Sequence, residues 1–342
     1  MLLVTERDQQ KWNAFVVTAE QSSCYHQIGW KQVIEKTFGH KTFYLMVEDE
    51  AGGIEGVLPL VQLKSRLFGN FLVSLPYFNY GGACASHEGG LNKLLNEARL
   101  LATELNAEHI ELRHTEHLYP DLPVKTNKVA MRLTLPSDTE SLLKSFPAKL
   151  RSQIKRPQKE GMVSKVGTTD QFDNFYAVFS ENMRDLGTPV YAKSFFWNIL
   201  ETFPETSWIC TVFAREGLPV ASGFLVGFKE MLEIPWASSL KRYNSLSPNM
   251  LLYWSVLKFA SESGYRIFDF GRSTPGEGTY RFKEQWGAKP VPLYWHYWLR
   301  NGCMLPELNP KNPKYQLAIR IWKQLPLRLT RMFGPAIVKY LP

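Results

Sequence analysis

One order of secondary-structure elements occurs twice along this 342-residue sequence, and the repetition limits its fold more than any other feature. Apolar periodicity predicts two helices, three strands, a loop, a helix and a strand in each half. In the first half the helices are 6–20, 27–38 and a segment with Leu94, Ala98, Leu101 and Leu105 on one face, and the strands are 42–47, 54–63, 71–75 and 109–113. In the second half the helices are 171–186, 193–203 and 249–263, and the strands are 208–214, 220–228, 231–237 and 265–270. Corresponding elements are offset by about 160 residues, which predicts a duplicated chain.

This element order resembles that of the GNAT acyltransferase fold. In that fold two strands part, and backbone donors and the next helix N-terminus can receive a thioester or a phosphate. Pro248 suits the start of such a helix in the second half. We therefore predict an α/β (α+β) protein with two tandem GNAT-like domains at 1–136 and 161–302, a connecting helical segment at 137–160 and a basic tail at 303–342. A generic α/β sandwich that uses the same order for packing alone is the competing interpretation.

The cysteines and the N-terminus favour a cytoplasmic protein. Four cysteines lie far apart, without a CxxC pair, and so predict neither a disulfide framework nor a zinc knuckle: Cys24, Cys84, Cys210 and Cys303. The first residues run at once into charged side chains, unlike a signal peptide. The uncharged stretch 67–86 contains prolines, glycines and asparagines, which favours a strand and loop over a membrane helix.

Positive charge is concentrated at the C-terminus. Seven of the eight net positive charges come from residues after Glu307, namely Lys311, Lys314, Arg320, Lys323, Arg328, Arg331 and Lys339. Between Tyr315 and Phe333 an ideal helix would place cations on one side and most apolar side chains on the other, which is typical of a helix lying in anionic headgroups. Pro326 would split that helix in two. A terminal helix packed on the second domain is the alternative.

The most informative motif is 268–288, where a buried strand ending at Asp269 and Phe270 meets a loop with three glycines and then Tyr280-Arg-Phe-Lys283. Charged groups at a strand end beside such a loop are a common site design. The stretch resembles the C-terminal signature of the FemAB family, the Fem-type peptidyltransferases that add amino acids to cell-wall precursors. The last part reads Phe282-Lys-Glu-Gln-Trp-Gly287, with Trp286 where that family usually has Phe.

Two further segments are similar to this family. Residues 149–161 resemble the segment that opens the second domain, with Pro157 where a small helical residue is usual, so that we expect the helix to kink or end there. The loop 74–82 resembles that of FemAB-like proteins found with exopolysaccharide and exosortase (PEP-CTERM) systems. The coiled-coil arm of the cell-wall enzymes has no counterpart in the sequence.

The resemblance and the residue chemistry together suggest roles for particular side chains. The resemblance gives Lys283 the catalytic role, because a cation can stabilise the oxyanion of acyl transfer; a surface lysine of little structural weight is the competing interpretation. The predicted substrate-binding residues are Arg151, Lys155, Asp269, Arg272, Tyr280, Arg281, Tyr77, Asn79 and Tyr80. Arg272 and Arg281 could hold a phosphate or carboxylate, and Asp269 could instead pair with Arg272. Arg151 and Lys155 share a helix face that would suit a diphosphate-linked acceptor.

The sequence thus predicts an N-acyltransferase or aminoacyltransferase acting on an amine of a cell-envelope or exopolysaccharide-related acceptor. No metal or permanently bound cofactor is implied, and the donor is acyl-CoA or aminoacyl-tRNA, which the sequence does not separate. The predicted partners are a small or lipid-linked glycan acceptor and inner-leaflet anionic lipid, with tRNA as a further candidate and DNA disfavoured. Two rival classes are a tail-anchored scaffold with a degenerate site and a tRNA-binding module.

Overall fold

The computed structural model describes residues 2–3, 8–66, 68–306 and 313–341, and the chain forms two compact units. The first unit comprises the described residues of Met1–Val129, Pro292–Leu308 and Lys339–Pro342, and the second those of Ala130–Val291 and Asn309–Val338. Neither unit is one uninterrupted stretch of sequence. Each is considered separately below.

The first unit contains a mixed sheet with three helices. Its strands are β1 (Leu2–Leu3), β2 (Lys41–Glu48), β3 (Ile54–Ser65), β4 (Gly69–Val73), β5 (Cys84–Ala85), β6 (His109–His114), β7 (Val124–Lys125) and β15 (Tyr294–Leu299). Its helices are α1 (Gln9–Thr18), α2 (Gly29–Phe38) and α3 (Glu88–Glu104). The sheet order is β1-β2-β3-β4-β6-β15-β7, with β5 on β3. The apolar face of α3, which includes Leu94, Ala98 and Leu101, packs on this sheet and forms the core.

The second unit repeats this arrangement with additional elements at its start. Its strands are β8 (Val129–Thr134), β9 (Val163–Gly167), β10 (Ser207–Phe213), β11 (Pro219–Phe228), β12 (Met231–Ser239), β13 (Ile267–Ser273) and β14 (Lys289–Pro292). Its helices are α4 (Thr139–Ser145), α5 (Ala148–Lys159), α6 (Phe172–Leu186), α7 (Lys193–Thr202), α8 (Pro248–Glu262), α9 (Gly278–Glu284), α10 (Pro313–Gln324) and α11 (Leu327–Val338). The sheet order is β14-β8-β13-β12-β11-β10-β9.

The repeated order of elements predicted from periodicity is confirmed. Every predicted helix and strand of both halves is present, with ends that differ from the predictions by a few residues. The largest difference is at the N-terminus, where α1 begins at Gln9 and Glu6 is outside the described residues. The helix containing Pro157 ends two residues later, at Lys159.

Two strands explain why the units are not consecutive in sequence. β15 lies between the two segments of the second unit along the chain but pairs antiparallel with β6 of the first, from Tyr294↔His114 to Leu299↔His109. β8 precedes the second unit's repeat and lies beside β13 in its sheet. Because β15 covers its edge, β6 is a central strand, and all six of its residues are buried.

The C-terminal segment forms two helices, as Pro326 predicts, so its cations do not line one continuous helix. Lys311 is outside the described residues, and so is the side chain of Lys314. Both α10 and α11 pack on α6, as the alternative to membrane binding had it. Gly334 of α11 lies so close to the backbone of Val190 that an added Cβ would be 2.8 Å from its nitrogen. Within the described ranges no helix combines the length and apolar composition that a membrane crossing needs.

Candidate active site

The sheet of the second unit opens between β12 and β13. These parallel strands pair at Met231↔Ile267, Leu232↔Phe268 and Glu233↔Asp269. Directly after Glu233, β12 carries a bulge against β11 that includes Pro235. A bulge bends the strand that contains it, and a proline cannot donate to the ladder. Local sequence therefore ends the pairing at Glu233 and Asp269, and the two strands part beyond this point.

Two carboxylates lie side by side at the point of separation. Glu233 is 1% exposed and Asp269 is 0% exposed. As register partners in neighbouring strands they point to the same face of the sheet. The Asp269 carboxylate accepts hydrogen bonds from Gly271 N at 2.7 Å and from Arg132 Nε at 3.1 Å. The Arg132 side chain on β8 is 27% exposed, so this buried charge has a partner that reaches solvent.

The short helix α9 is held by aromatic packing. The Tyr253 ring on α8 lies 5.5 Å from that of Phe270, 5.0 Å from Phe282 and 6.2 Å from Trp286, measured between centroids. Trp286 is fully buried. Phe282 and Trp286 are four residues apart and therefore share one side of their turn. This packing is the structural reason for the aromatic pattern around Lys283, because it fixes the direction in which the lysine leaves the helix.

Lys283 is buried beside the strand opening. It is 7% exposed, and its Nζ donates to the carbonyl oxygens of Gly271 and Arg272, both at 3.0 Å. Burial lowers the pKa of its ammonium to about 8, against the opposing effect of Asp269 and Glu233. The lysine is therefore not on the surface, as the competing interpretation had it. An ammonium has three N–H donors, and in the described part of the chain the third has no hydrogen-bond partner.

The other residues predicted around this loop are more exposed. Arg272 and Arg281 are exposed, and Tyr280 is half-buried. The backbone carbonyl of Arg272 accepts a hydrogen bond from Lys283 Nζ, and the Arg272 side chain is exposed to solvent. The structure thus brings Lys283, Asp269 and Arg272 together.

Arg151 and Lys155 lie on α5, and a structural role accounts for the first. Arg151 Nη1 donates to the carbonyl oxygens of Phe146 at 2.8 Å and Lys144 at 3.3 Å, and so caps the last turn of α4. Lys155 is exposed. Of the two, Lys155 is the one whose position is not explained by a contact within the protein's own fold.

Tyr77, Asn79 and Tyr80 belong to the first unit, in the loop between β4 and β5. Tyr77 has a positive φ of 76°, and its hydroxyl donates to the carbonyl of Lys339 at 2.6 Å. Tyr80 is 3% exposed and packs near the Tyr25 ring. Asn79 is half-buried. In this unit Tyr77 and Tyr80 serve to hold the loop in place.

Sequence reasoning missed two residues of the site, Arg132 and Glu233. Each is a lone charge within an apolar strand, in Val129–Thr134 and Met231–Ser239. Such a charge is rarely buried without a partner. A single charged residue in an apolar strand could therefore have pointed to Arg132 and Glu233, although neither position lies in a motif.

The first unit has a different arrangement at the corresponding position. Its parallel strands pair at Val73↔Glu111, so Glu111 corresponds to Asp269 and Val73 to Glu233. Glu111 is bound by Arg113 of its own strand and by the Tyr297 hydroxyl at 2.8 Å. In the first unit Arg113, a residue of the same strand, thus neutralises Glu111. In the second unit the cations near Asp269 are Arg132, on another strand, and Lys283. The duplicated folds therefore differ in chemistry at one topological point.

Comparison with known proteins supports the assignment of the fold. The family model of the acetyltransferase (GNAT) domain matches residues 144–284, which include α5 to α9 and Lys283. The crystal structure of FemX is similar with a TM-score of 0.67 and 15% identity, over 93% of this chain and 99% of that one. A lysylphosphatidylglycerol synthase (L-PGS) structure from Bacillus licheniformis has a TM-score of 0.54 and 14% identity, over 90% and 99%. A tandem GNAT protein from the clavulanic acid biosynthesis pathway has a TM-score of 0.54 and 12% identity, over 87% and 96%. No curated protein matches the chain in sequence.

The predicted fold class is confirmed: the protein is a mixed α/β chain with two tandem GNAT-like units. The likeness to FemX agrees with the Fem-type resemblance of the motif around Lys283. At these identities the solved structures bear on fold alone. The GNAT family match and the fold together support an acyltransferase.

Proposed function

We propose that the second unit transfers an acyl group from an activated donor to an amine. The observation that carries the proposal is the position of Lys283, whose third N–H is available beside the opening between β12 and β13. Acyl transfer places negative charge on the carbonyl oxygen of the donor, and a fixed donor at that oxygen lowers the barrier. The burial of this cation beside the opening supports the proposal.

In the proposed reaction the donor carbonyl lies in the opening with its oxygen toward Lys283 Nζ. The amine nitrogen forms a bond to the carbonyl carbon, and the resulting oxyanion accepts a hydrogen bond from the ammonium. The bond from carbon to the sulfur or oxygen of the leaving group then breaks, and the amine proton passes to the leaving group. Asp269 and Glu233 keep the lysine charged near neutral pH against the effect of burial.

The donor is acyl-CoA or an aminoacyl-tRNA, each of which presents an activated carbonyl. The description of the matching family as an acetyltransferase supports the thioester. FemX and the L-PGS structure have related folds, and the name of the latter refers to a lysyl lipid. We propose an amine acceptor of the cell envelope or of an exopolysaccharide pathway on the basis of the loop 74–82. Arg272, Arg281, Tyr280 and Lys155 are the exposed or half-buried candidates for its anionic parts.

The test begins with mass spectrometry of small molecules that copurify with the protein. Transfer of a labelled acyl group to amino sugars is then measured with a panel of acyl-CoA thioesters and, separately, of aminoacyl-tRNAs. Lys283→Met keeps an unbranched side chain but removes the charge, and we expect kcat to fall by about 10²–10³. Lys289→Met, at an exposed lysine six residues away, is the matched control and should retain the wild-type rate.

The pH dependence of the rate gives a second test. The pKa of Lys283 is about 8, so its cationic form is lost as the pH rises above that value. We expect the wild-type rate to decline above pH 8 and the residual rate of Lys283→Met to lack this decline. A Lys283→Met enzyme with the wild-type rate would remove the lysine from the mechanism. Binding without turnover of any donor would favour a scaffold, and salt-sensitive binding of tRNA alone would favour a tRNA-binding module.

A further inference from the structure

The two C-terminal helices of the second unit expose apolar side chains. In α11 the inner side is formed by Thr330, Gly334 and Val338, which are all buried. Exposed apolar residues occupy the rest of the helix surface, with exposed fractions of 36% for Leu329, 60% for Met332 and 50% for Phe333, and Ile337, at the edge of the buried side, is 37% exposed. In α10 Leu317 is 57% exposed and Ile321 is 53% exposed. Large apolar side chains gathered at this density on a surface mark an interaction site.

Both helices pack on one side of α6, so their exposed sides face the same way. Arg331 Nε of α11 donates to Ser180 Oγ at 2.9 Å. Ile319 of α10 packs against Gly187, where an added Cβ would be 2.6 Å from its Cγ2 atom. Positions 180 and 187 are seven residues apart, so they lie on nearly the same side of the helix and about 10 Å from each other. We call the sides of α10 and α11 that face away from α6 the tail surface.

The charge on the tail surface has one sign. Arg320 and Arg328 are exposed on the same two helices as the apolar side chains, whereas the Lys323 side chain packs toward α6, with its Cε 3.0 Å from a Cβ added at Gly187. No acidic residue occurs from position 308 to the end of the chain. Arg331 does not contribute in the same way, because its guanidinium is directed to Ser180 and lies over the Tyr176 ring at 5.6 Å.

We infer that the tail surface binds an anionic lipid surface, with the apolar side chains of α10 and α11 inserted among the headgroups. Apolar side chains flanked by cations are the chemistry that recognises such a layer. A second copy of the chain would fit less well, because a symmetric contact would bring like charges together at its rim. Unlike the single helix expected from sequence, the binding element is a pair of helices held on α6. This inference does not depend on the reaction proposed for the second unit.

The test is cosedimentation of the full chain with vesicles. One set contains phosphatidylcholine alone and the other also contains about 30% phosphatidylglycerol, each at ~0.1 M and ~0.5 M salt. We expect binding to the anionic vesicles at low salt and a loss of at least about tenfold in the variant Met332→Ser/Phe333→Ser. Replacing Arg320 and Arg328 by Gln should remove the preference for phosphatidylglycerol. Melting temperatures of these variants should match the wild type, because the altered side chains are exposed.

The matched control alters two exposed apolar residues of the first unit, Val17→Ser/Leu100→Ser, at positions that are 60% and 65% exposed. This control should bind vesicles like the wild type. Equal binding by Met332→Ser/Phe333→Ser and wild type, or no binding by the wild type, would overturn the inference. Light scattering that shows a dimer, lost in Met332→Ser/Phe333→Ser, would assign the tail surface to a second copy instead.

Discussion

At the scale of residues, the candidate site depends on one buried lysine between backbone carbonyls and carboxylates. Lys283 is 7% exposed, and its Nζ donates to the carbonyl oxygens of Gly271 and Arg272. Its loss would leave these carbonyls with one partner fewer in a buried place, at a cost of about 1–3 kcal/mol. We therefore expect the loss of Lys283 to change both the stability of the protein and its turnover rate.

The dependence of stability on pH tests the burial of Lys283. The pKa of this lysine is about 8 in the folded protein and 10.5 is its ordinary value, so between these pH values the unfolded chain binds more protons. Stability must then rise with pH, and the unfavourable contribution of the buried charge is fully present below pH 8. We expect the free energy of unfolding of wild type to gain about 3 kcal/mol relative to Lys283→Met between pH 7.5 and 10.5. Urea denaturation of both proteins measures this gain, and a constant difference would contradict the burial.

The pair of Arg132 and Asp269 gives a second prediction at this scale. Arg132→Gln removes the ion-pair partner of the fully buried Asp269 and leaves Lys283 as the nearby cation. We expect a loss of about 2 kcal/mol in the free energy of unfolding, since the arginine is 27% exposed. Arg266→Gln is the control, because Arg266 and Glu230 form a pair with side chains 69% and 70% exposed. That change should have an effect within about 0.5 kcal/mol. Equal effects of the two substitutions in denaturant titrations would show that burial does not distinguish the pairs.

At the scale of elements, short segments position the site and the tail. The bulge at Pro235 parts β12 from β13, and the packing of α9 on Tyr253 directs Lys283 to the opening. The C-terminal helices depend on close approaches to the body of the second unit, at Gly187 and at Gly334. Pro235 thus determines the course of β12, and the glycines Gly187 and Gly334 determine how closely α10 and α11 can approach.

Gly334→Ala tests how α11 is held. A Cβ at this position would be 2.8 Å from Val190 N and 3.0 Å from Val190 O, which are backbone atoms and cannot rotate away. We expect α11 to move, with a loss of about 1–3 kcal/mol and faster hydrogen exchange in 327–338. Gly278→Ala in α9, where a Cβ meets nothing within 4 Å, should be neutral or slightly stabilising. Unchanged exchange in Gly334→Ala would mean that α11 is not tightly packed.

At the scale of the whole molecule, the chain duplicates one fold and exchanges a strand in each direction. β15 comes after β13 and α9 of the second repeat but lies in the first unit's sheet. β8 comes after β6 of the first repeat but lies in the second unit's sheet. Among the described residues, a buried lysine beside two carboxylates lies at the repeated position of the second unit, whereas in the first unit Val73 and Glu111 are paired there and Arg113 binds Glu111. We therefore expect the first unit to contribute to binding and stability and the second to carry out the chemistry.

The exchanged strand predicts how fragments will behave. A fragment 1–136 lacks β15, so its strand β6, with six buried residues, becomes an exposed edge. We expect it to aggregate or to unfold without cooperativity. A chain in which 1–129 is joined by a flexible linker to 290–306 restores the strand and should unfold cooperatively, as measured by circular dichroism in urea. Cooperative unfolding of the fragment 1–136 would show that β15 is dispensable.

The sequence alone determined the elements and their repetition, because helix and strand periodicity and turn residues are local properties. It also indicated the motif around Lys283, since charged groups at a strand end beside a glycine-rich loop are visible in the residue order. The tertiary structure alone decided that Lys283 is buried and that Arg132 and Glu233 belong to the candidate site. These facts depend on contacts between residues up to 137 positions apart, as for Arg132 and Asp269, which no local pattern encodes. The exchange of β8 and β15 has the same cause, because the edge that a strand joins is fixed by the packing of the sheet rather than by its own sequence.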